Sequence, residues 1–179
     1  MILGSATAQI SLQAKGGVGI AYVDVNLWVP IMGPHAKVSI DIGSEDGSFP
    51  WEGLPLSMGI DLSYTYATTI GKERYDRSLQ GKYLTLGTHI GYTLEKVHGQ
   101  VGVVFTKSTL SGSGPFFDPE VDDAVGIQLA LGYELDPKLF IQGSIQRYGA
   151  DLDGFTSPFS RRNASWIYAL TCNYMIQTK

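Results

Sequence analysis

Three histidines, one cysteine and seventeen acidic residues set the chemistry open to this chain. His89 lies in Thr-Leu-Gly-Thr-His-Ile-Gly-Tyr, Asp41 in Ser-Ile-Asp-Ile-Gly and Asp61 in Gly-Ile-Asp-Leu-Ser. Acyl transfer on such residues would need a Ser activated by a His, with a third polar group orienting the ring. No Ser follows His89 at i+2, His98 falls at a turn, and His35 falls in a loop or at a strand end. No catalytic residue is assigned. Cys172 stands alone, without a CxxC or Cys/His cluster, so no metal site and no cofactor are assigned either. The acidic run from Phe116 to Asp123 could attract a divalent ion, yet it lacks the Gly and ligand spacing of a calcium loop.

What these residues share is a side. Successive side chains of a strand point to opposite faces. In strand-like segments Lys15, Lys37, Asp41, Asp61, His89 and Glu134 fall on the same parity as Gln100, Gln128, Gln142, Gln146 and Asn173. The chemistry this predicts is ion pairing and hydrogen bonding within one enclosed polar network. Buried charges are tolerated when paired, and two Lys opposite two Asp and a Glu could achieve that.

The elements that must hold this network are eight β-strands. From Ala124 the chain reads Ala-Val-Gly-Ile-Gln-Leu-Ala-Leu-Gly-Tyr-Glu-Leu, turns at Asp136-Pro137-Lys138, and resumes to Tyr148. Val125, Ile127, Leu129, Leu131, Tyr133 and Leu135 share one face, while the other carries Gly, Ala and Gln. A soluble sandwich or lipocalin would put Lys, Glu and Asp on its outer face, and here that second face is small. Turning the sheet inside out fits better, with aliphatic side chains against lipid and polar ones in a narrow lumen. Similar alternation predicts strands over 10–29, 36–43, 54–66, 82–95, 98–110 and 164–176. The second is short for a spanning strand, which needs about 9–11 residues. Gly16-Gly17 predicts a bulge or sharp coil in the first.

Connections alternate in length. Lys96-Val97 and Asp136-Pro137-Lys138 are tight, whereas 67–81, 111–123 and 151–163 are long, the pattern of an outer-membrane barrel with short turns in the periplasm. The long acid-rich stretch 44–53 breaks that pattern. Trp28, Trp51, Tyr64, Tyr66, Tyr92, Tyr133, Trp166 and Tyr174 sit near strand ends, where amphipathic rings could form two interfacial girdles. Cys172 falls on the outward parity as a small apolar group.

Composition agrees. Charged residues make up 17% of the 179, below the roughly 25% usual for soluble domains. No run of about 18 apolar residues exists, so a membrane-spanning segment here must be a strand. A net charge of −4 without a basic stripe excludes a nucleic-acid binder. Ala6-Thr7-Ala8 resembles the end of a signal peptide, which gives residues 1–8 as a signal remnant or simply a strand start, and 9–179 as one barrel domain.

The dyad strands, alternating connections and aromatic strand ends resemble the small eight-stranded outer-membrane barrels, the family of the OmpA transmembrane domain and the opacity-like surface proteins. The resemblance is one of pattern across nearly the whole chain. Such chains usually finish on an aromatic residue, and this one ends Tyr-Met-Ile-Gln-Thr-Lys. It implies an all-β, eight-stranded antiparallel up-and-down transmembrane β-barrel, monomeric, in a bacterial outer membrane. The expected role is structural or surface-interacting, with outer-membrane lipid and lipopolysaccharide as partners and a surface ligand met through the long loops. Lys72, Arg74, Arg77, Arg161 and Arg162 in those loops could hold lipopolysaccharide phosphates, since Arg binds phosphate bidentately. A narrow solute channel, a lipid-modifying enzyme and a soluble lipocalin-like binding barrel are the competing readings.

Overall fold

The computed structural model describes residues 10–24, 31–44, 56–70, 78–113, 123–149 and 164–178. They form eight strands: β1 (Ile10–Asp24), β2 (Ile31–Ser44), β3 (Leu56–Thr69), β4 (Ser78–Leu94), β5 (Val97–Ser113), β6 (Asp123–Asp136), β7 (Leu139–Gly149) and β8 (Ala164–Thr178). Each pairs antiparallel with its neighbours in sequence, and β8 closes on β1. Closure leaves no sheet edge, which hydrocarbon demands, because an unpaired backbone group there has no water to turn to.

The register fixes how the wall is sheared. Following paired residues from Leu12 through Ile42, Met58, Ile90, Val101, Leu129, Ile145 and Tyr168 returns to β1 at Tyr22, ten residues further along. A stagger of that kind accompanies strands tilted by about 35–45° from the barrel axis. Every side chain on this row is apolar and exposed. The adjoining inward row runs Gln13, Asp41, Gly59, His89, Gly102, Gln128, Gln146, Ile167 and Val23.

Burial is therefore inverted relative to a soluble protein. Leu129 and Leu131 are 52% and 64% exposed, while Asp61 and Gln128 are 2% and 1% exposed. A continuous aliphatic belt of this extent is stable only against another apolar phase. The barrel is thus transmembrane. Its belt ends in rings near both strand ends: Tyr22, Tyr64, Tyr66, Trp166 and Tyr168 toward the connections 25–30, 70–77, 114–122 and 150–163, and Tyr92, Tyr133 and Tyr174 toward the tight turns. Trp28 and Trp51 lie outside the described residues.

Several expectations from sequence change. β2 has 14 residues, not eight, and is long enough to span. The eight-residue reading missed Ile31 to His35 because Gly33-Pro34 looks like a break, and the β2–β3 register does lapse at those two residues before resuming at His35–Thr65. Proline has no N–H for a ladder. No bulge occurs at Gly16-Gly17, where pairing with Val38 and Lys37 is continuous. Gly17 is small for another reason: a Cβ there would overlap the Asn173 side chain inside the lumen. The register shift falls instead between Glu134 and Asp136, beside the β6–β7 turn. The first strand, expected to reach residue 29, is described to Asp24, with 25–30 outside the described residues. The β4–β5 turn is Glu95-Lys96, one residue earlier than expected, with Glu95 at φ 52°.

An outward Arg at mid-belt is costly in hydrocarbon and nearly free at its margin. Leu129→Arg is expected to lower the unfolding free energy by about 2–4 kcal/mol and Val125→Arg, beside Asp123, by about 0–1 kcal/mol. Urea unfolding in lipid vesicles measures the difference.

Candidate functional site: a charged hub across the lumen

Inside the barrel the polar residues converge on His89. β4 carries it inward, and β3 runs between it and β2. Asp61 sits on β3 and Asp41 on β2, so reaching Asp41 requires the imidazole to pass over β3. It does so at Gly59, where a Cβ would overlap Asp41 Oδ1 and lie 2.6 Å from His89 Cε1. Nε2 of His89 donates to Asp41 Oδ1 at 2.7 Å, and Nδ1 donates to Asp61 Oδ2 at 2.9 Å. A ring that donates from both nitrogens carries two protons and a positive charge.

Two lysines complete the pairing. Lys15 Nζ on β1 lies 2.5 Å from Asp41 Oδ2, and Lys37 Nζ on β2 lies 3.1 Å from Asp61 Oδ1. Ser39 donates to Asp61 Oδ1 at 2.6 Å, and Gln128 Nε2 on β6 donates to Asp61 Oδ2. Glutamines line the far wall: Gln146 donates to Gln128 at 3.2 Å and Gln142 to Gln100 Oε1 at 2.8 Å, while Gln100 Nε2 packs 3.2 Å from His89 Nε2, a contact between two donors and not a hydrogen bond. Seven strands, β1 to β7, meet in one set of contacts. Asp41, Asp61, Lys37 and His89 are each under 5% exposed.

Of the residues the sequence singled out, Lys15, Lys37, Asp41, Asp61, His89, Gln128 and Gln142 come together. Glu134 does not. It lies toward the tight-turn end with Oε2 3.7 Å from His98 Nε2, beyond hydrogen-bond reach. Lys72, Arg74, Arg77, Arg161 and Arg162 lie outside the described residues, as does the acidic run before Asp123. His35, expected in a loop or strand end, is a buried β2 residue whose Nδ1 contacts Thr65 Oγ1 at 2.7 Å.

Two features escaped the sequence. One is Gly59, whose missing side chain lets His89 cross β3. The other is an apolar layer in the lumen toward the connections 25–30 and 70–77, built from Val23, Ile31, Ala67, Leu79, Tyr83 and Ile167. Ile31 and Leu79 hold the inward parity just beyond the strands read as 36–43 and 82–95, and Val23 holds it within the strand read as 10–29, so following the inward parity to the strand ends would have exposed it.

For chemistry, the hub offers little to a substrate. Both nitrogens of His89 are committed to carboxylates, which leaves no lone pair for a general base. Thr93 Oγ1 does touch His98 Nδ1 at 3.0 Å, but the 3.7 Å gap to Glu134 leaves that imidazole without an orienting acid. Among the described residues no cluster of three or more His, Cys, Asp or Glu could hold a metal ion.

A closed barrel with hydrocarbon-facing walls and a polar centre defines the class: a small transmembrane β-barrel. More narrowly, its eight-stranded antiparallel fold is that of the small outer-membrane barrels. The attachment invasion locus protein Ail of Yersinia pestis is similar in structure at a TM-score of 0.52 and 13% identity, over 95% of this chain and 100% of that one. A major outer membrane protein of Thermus thermophilus is similar at 0.53 and 15% identity, over 94% and 100%. No protein-family model and no curated protein sequence matches the chain.

Removing one partner from a buried ion pair strands the others. Asp61→Leu leaves Lys37, His89 and Gln128 without their acceptor and is expected to cost about 3–5 kcal/mol. Glu134→Gln, outside the hub, is expected to cost about 0–1 kcal/mol. Urea unfolding monitored by tryptophan fluorescence in lipid vesicles separates the two.

Proposed function

We propose that this chain is a bacterial outer-membrane protein whose barrel is a non-conducting scaffold, and that its role is structural or surface-interacting through the segments joining the strands away from the tight turns. The observation that carries this reading is the hub, in which His89, Asp41 and Asp61 span the lumen from β4 to β2. Eight strands enclose a space that side chains alone can fill. An ion entering from the tight-turn side meets five paired charges, and beyond them an apolar layer that would strip its water. The outer-membrane assignment draws on the fold shared with a major outer membrane protein of Thermus thermophilus.

On this reading the barrel is not an enzyme: both nitrogens of His89 are engaged by carboxylates, and neither His35, beside Thr65, nor His98, beside Thr93, has a carboxylate within hydrogen-bond reach to orient it. The loop cations Lys72, Arg74, Arg77, Arg161 and Arg162 are proposed contacts to lipopolysaccharide phosphates, on the strength of their charge and their place in the long connections. The competing reading is a narrow channel that opens when the hub rearranges.

Planar-bilayer recording of the reconstituted protein tests the scaffold reading. It predicts no discrete conductance steps at any accessible voltage. Reproducible single-channel openings in the wild-type protein would establish the channel instead.

A further inference from the structure

Around the outer wall, at the edge of the apolar belt away from the tight turns, the charged side chains are Asp24, Lys82, Lys107, Asp123 and Arg147 among the described residues. Their surroundings differ. Arg147 lies over the Trp166 ring, its guanidinium carbon 5.2 Å from the ring centroid. Lys82 and Lys107 are both exposed and make no ion pair among the described residues.

These two lysines are neighbours. In the β4–β5 register Lys82 pairs with Thr109 and Leu84 with Lys107, so on the outward face the lysines are diagonal neighbours. Tyr66, on β3, pairs directly with Lys82, and Tyr64 pairs with Leu84. Below them the wall is Leu84, Leu86 and Phe105, each at least 44% exposed. Two ammonium groups side by side repel each other, and the belt beneath them denies them water from that side. A shared anion removes both penalties. The ring of Tyr66 marks the depth as that of lipid headgroups, where the available anion is phosphate.

We propose that Lys82 and Lys107, with Tyr66 beside them, form a binding site on the outer wall for the phosphate of an anionic lipid in the surrounding leaflet. Phosphate fits the pair because its several acceptor oxygens can take hydrogen bonds from two ammonium groups at once. Asp123, which pairs with Lys107 across β5 and β6, is the one described carboxylate that would compete for it. The site rests on the barrel being membrane-embedded. It is distinct from the loop cations, which lie outside the described residues.

The test uses the full chain inserted in phosphatidylcholine nanodiscs doped with phosphatidylglycerol, which carries none of the lipopolysaccharide phosphates assigned to the loop cations, and counts co-released anionic lipid by native mass spectrometry. Wild-type barrels are expected to retain anionic lipid at least tenfold more strongly than phosphatidylcholine. Lys82→Gln with Lys107→Gln is expected to abolish that preference, and Lys82→Arg with Lys107→Arg to keep it. Replacing Lys96 and Lys138 at the tight turns by Gln serves as the charge-matched control and should leave it unchanged. A chain with its five loop cations replaced by Gln should also retain the preference. Equal retention by wild type and the Lys82/Lys107 double Gln variant overturns the site, as does full competition by millimolar inorganic phosphate, which would mean an unspecific anion contact. Loss of the preference on replacing only the loop cations also overturns it. Failure of the wild-type chain to insert at all would instead defeat the transmembrane reading.

Discussion

The imidazole of His89, held between two carboxylates on two other strands, is the interaction on which the barrel's interior depends. Neighbouring strands of a barrel are held by backbone hydrogen bonds, but nothing in that ladder ties a strand to the one beyond its neighbour. His89 on β4 reaches Asp41 on β2, and Gln128 on β6 reaches Asp61 on β3. These cross-braces fix the cross-section of a tube whose outer surface, facing fluid lipid, imposes little shape of its own. They also carry a condition. Each charge is buried, and a buried charge is stable only while every partner is in place. Removing any one member exposes the rest to a low-dielectric lumen without compensation.

The same logic explains why the lumen is divided. Toward the tight turns it is charged and hydrogen-bonded; toward the other end Val23, Ile31, Leu79 and Ile167 pack as a soluble protein's core would. An apolar layer beside the hub keeps water from competing for the ion pairs, which strengthens them. On the outside the order reverses. Aliphatic side chains fill the belt, aromatic rings mark its margins, and among the described residues the outward lysines of the wall, Lys82 and Lys107, stand where the belt ends. One chain thus meets three environments, hydrocarbon, headgroup and packed interior, and a period of two along each strand sorts its residues among them.

The architecture was legible because that period is unambiguous. In β6 and β3 the alternation of Leu, Ile and Tyr with Gly, Ser and Gln admits no other regular structure, and the small second face argues for lipid outside. Parity alone also placed Lys37, Asp41, Asp61 and His89 on the inner side. What parity could not supply is distance across the tube. It treated Glu134 as equivalent to Asp61, although the stagger of the strands carries Glu134 toward the tight-turn end beside His98. It read Gly16-Gly17 as a kink, when Gly17 is small because Asn173 occupies the space. It passed over Gly59, since a residue that matters by having no side chain leaves no mark in an alternation already rich in glycine. Gly33-Pro34 hid the first residues of β2 for the opposite reason: a strand-breaking pair stands inside a strand whose other side remains fully paired with β1.

The central claim, that one histidine braces the lumen across an intervening strand, is tested most directly by a double-mutant cycle on Asp41 and His89 in lipid vesicles. Asp41→Asn, His89→Gln and the pair are unfolded in urea, and the coupling is the departure from additivity. A true contact across β3 predicts a favourable coupling between about 0.5 and 3 kcal/mol. Additivity within about 0.3 kcal/mol would contradict it, because residues two strands apart that do not touch have no reason to be coupled.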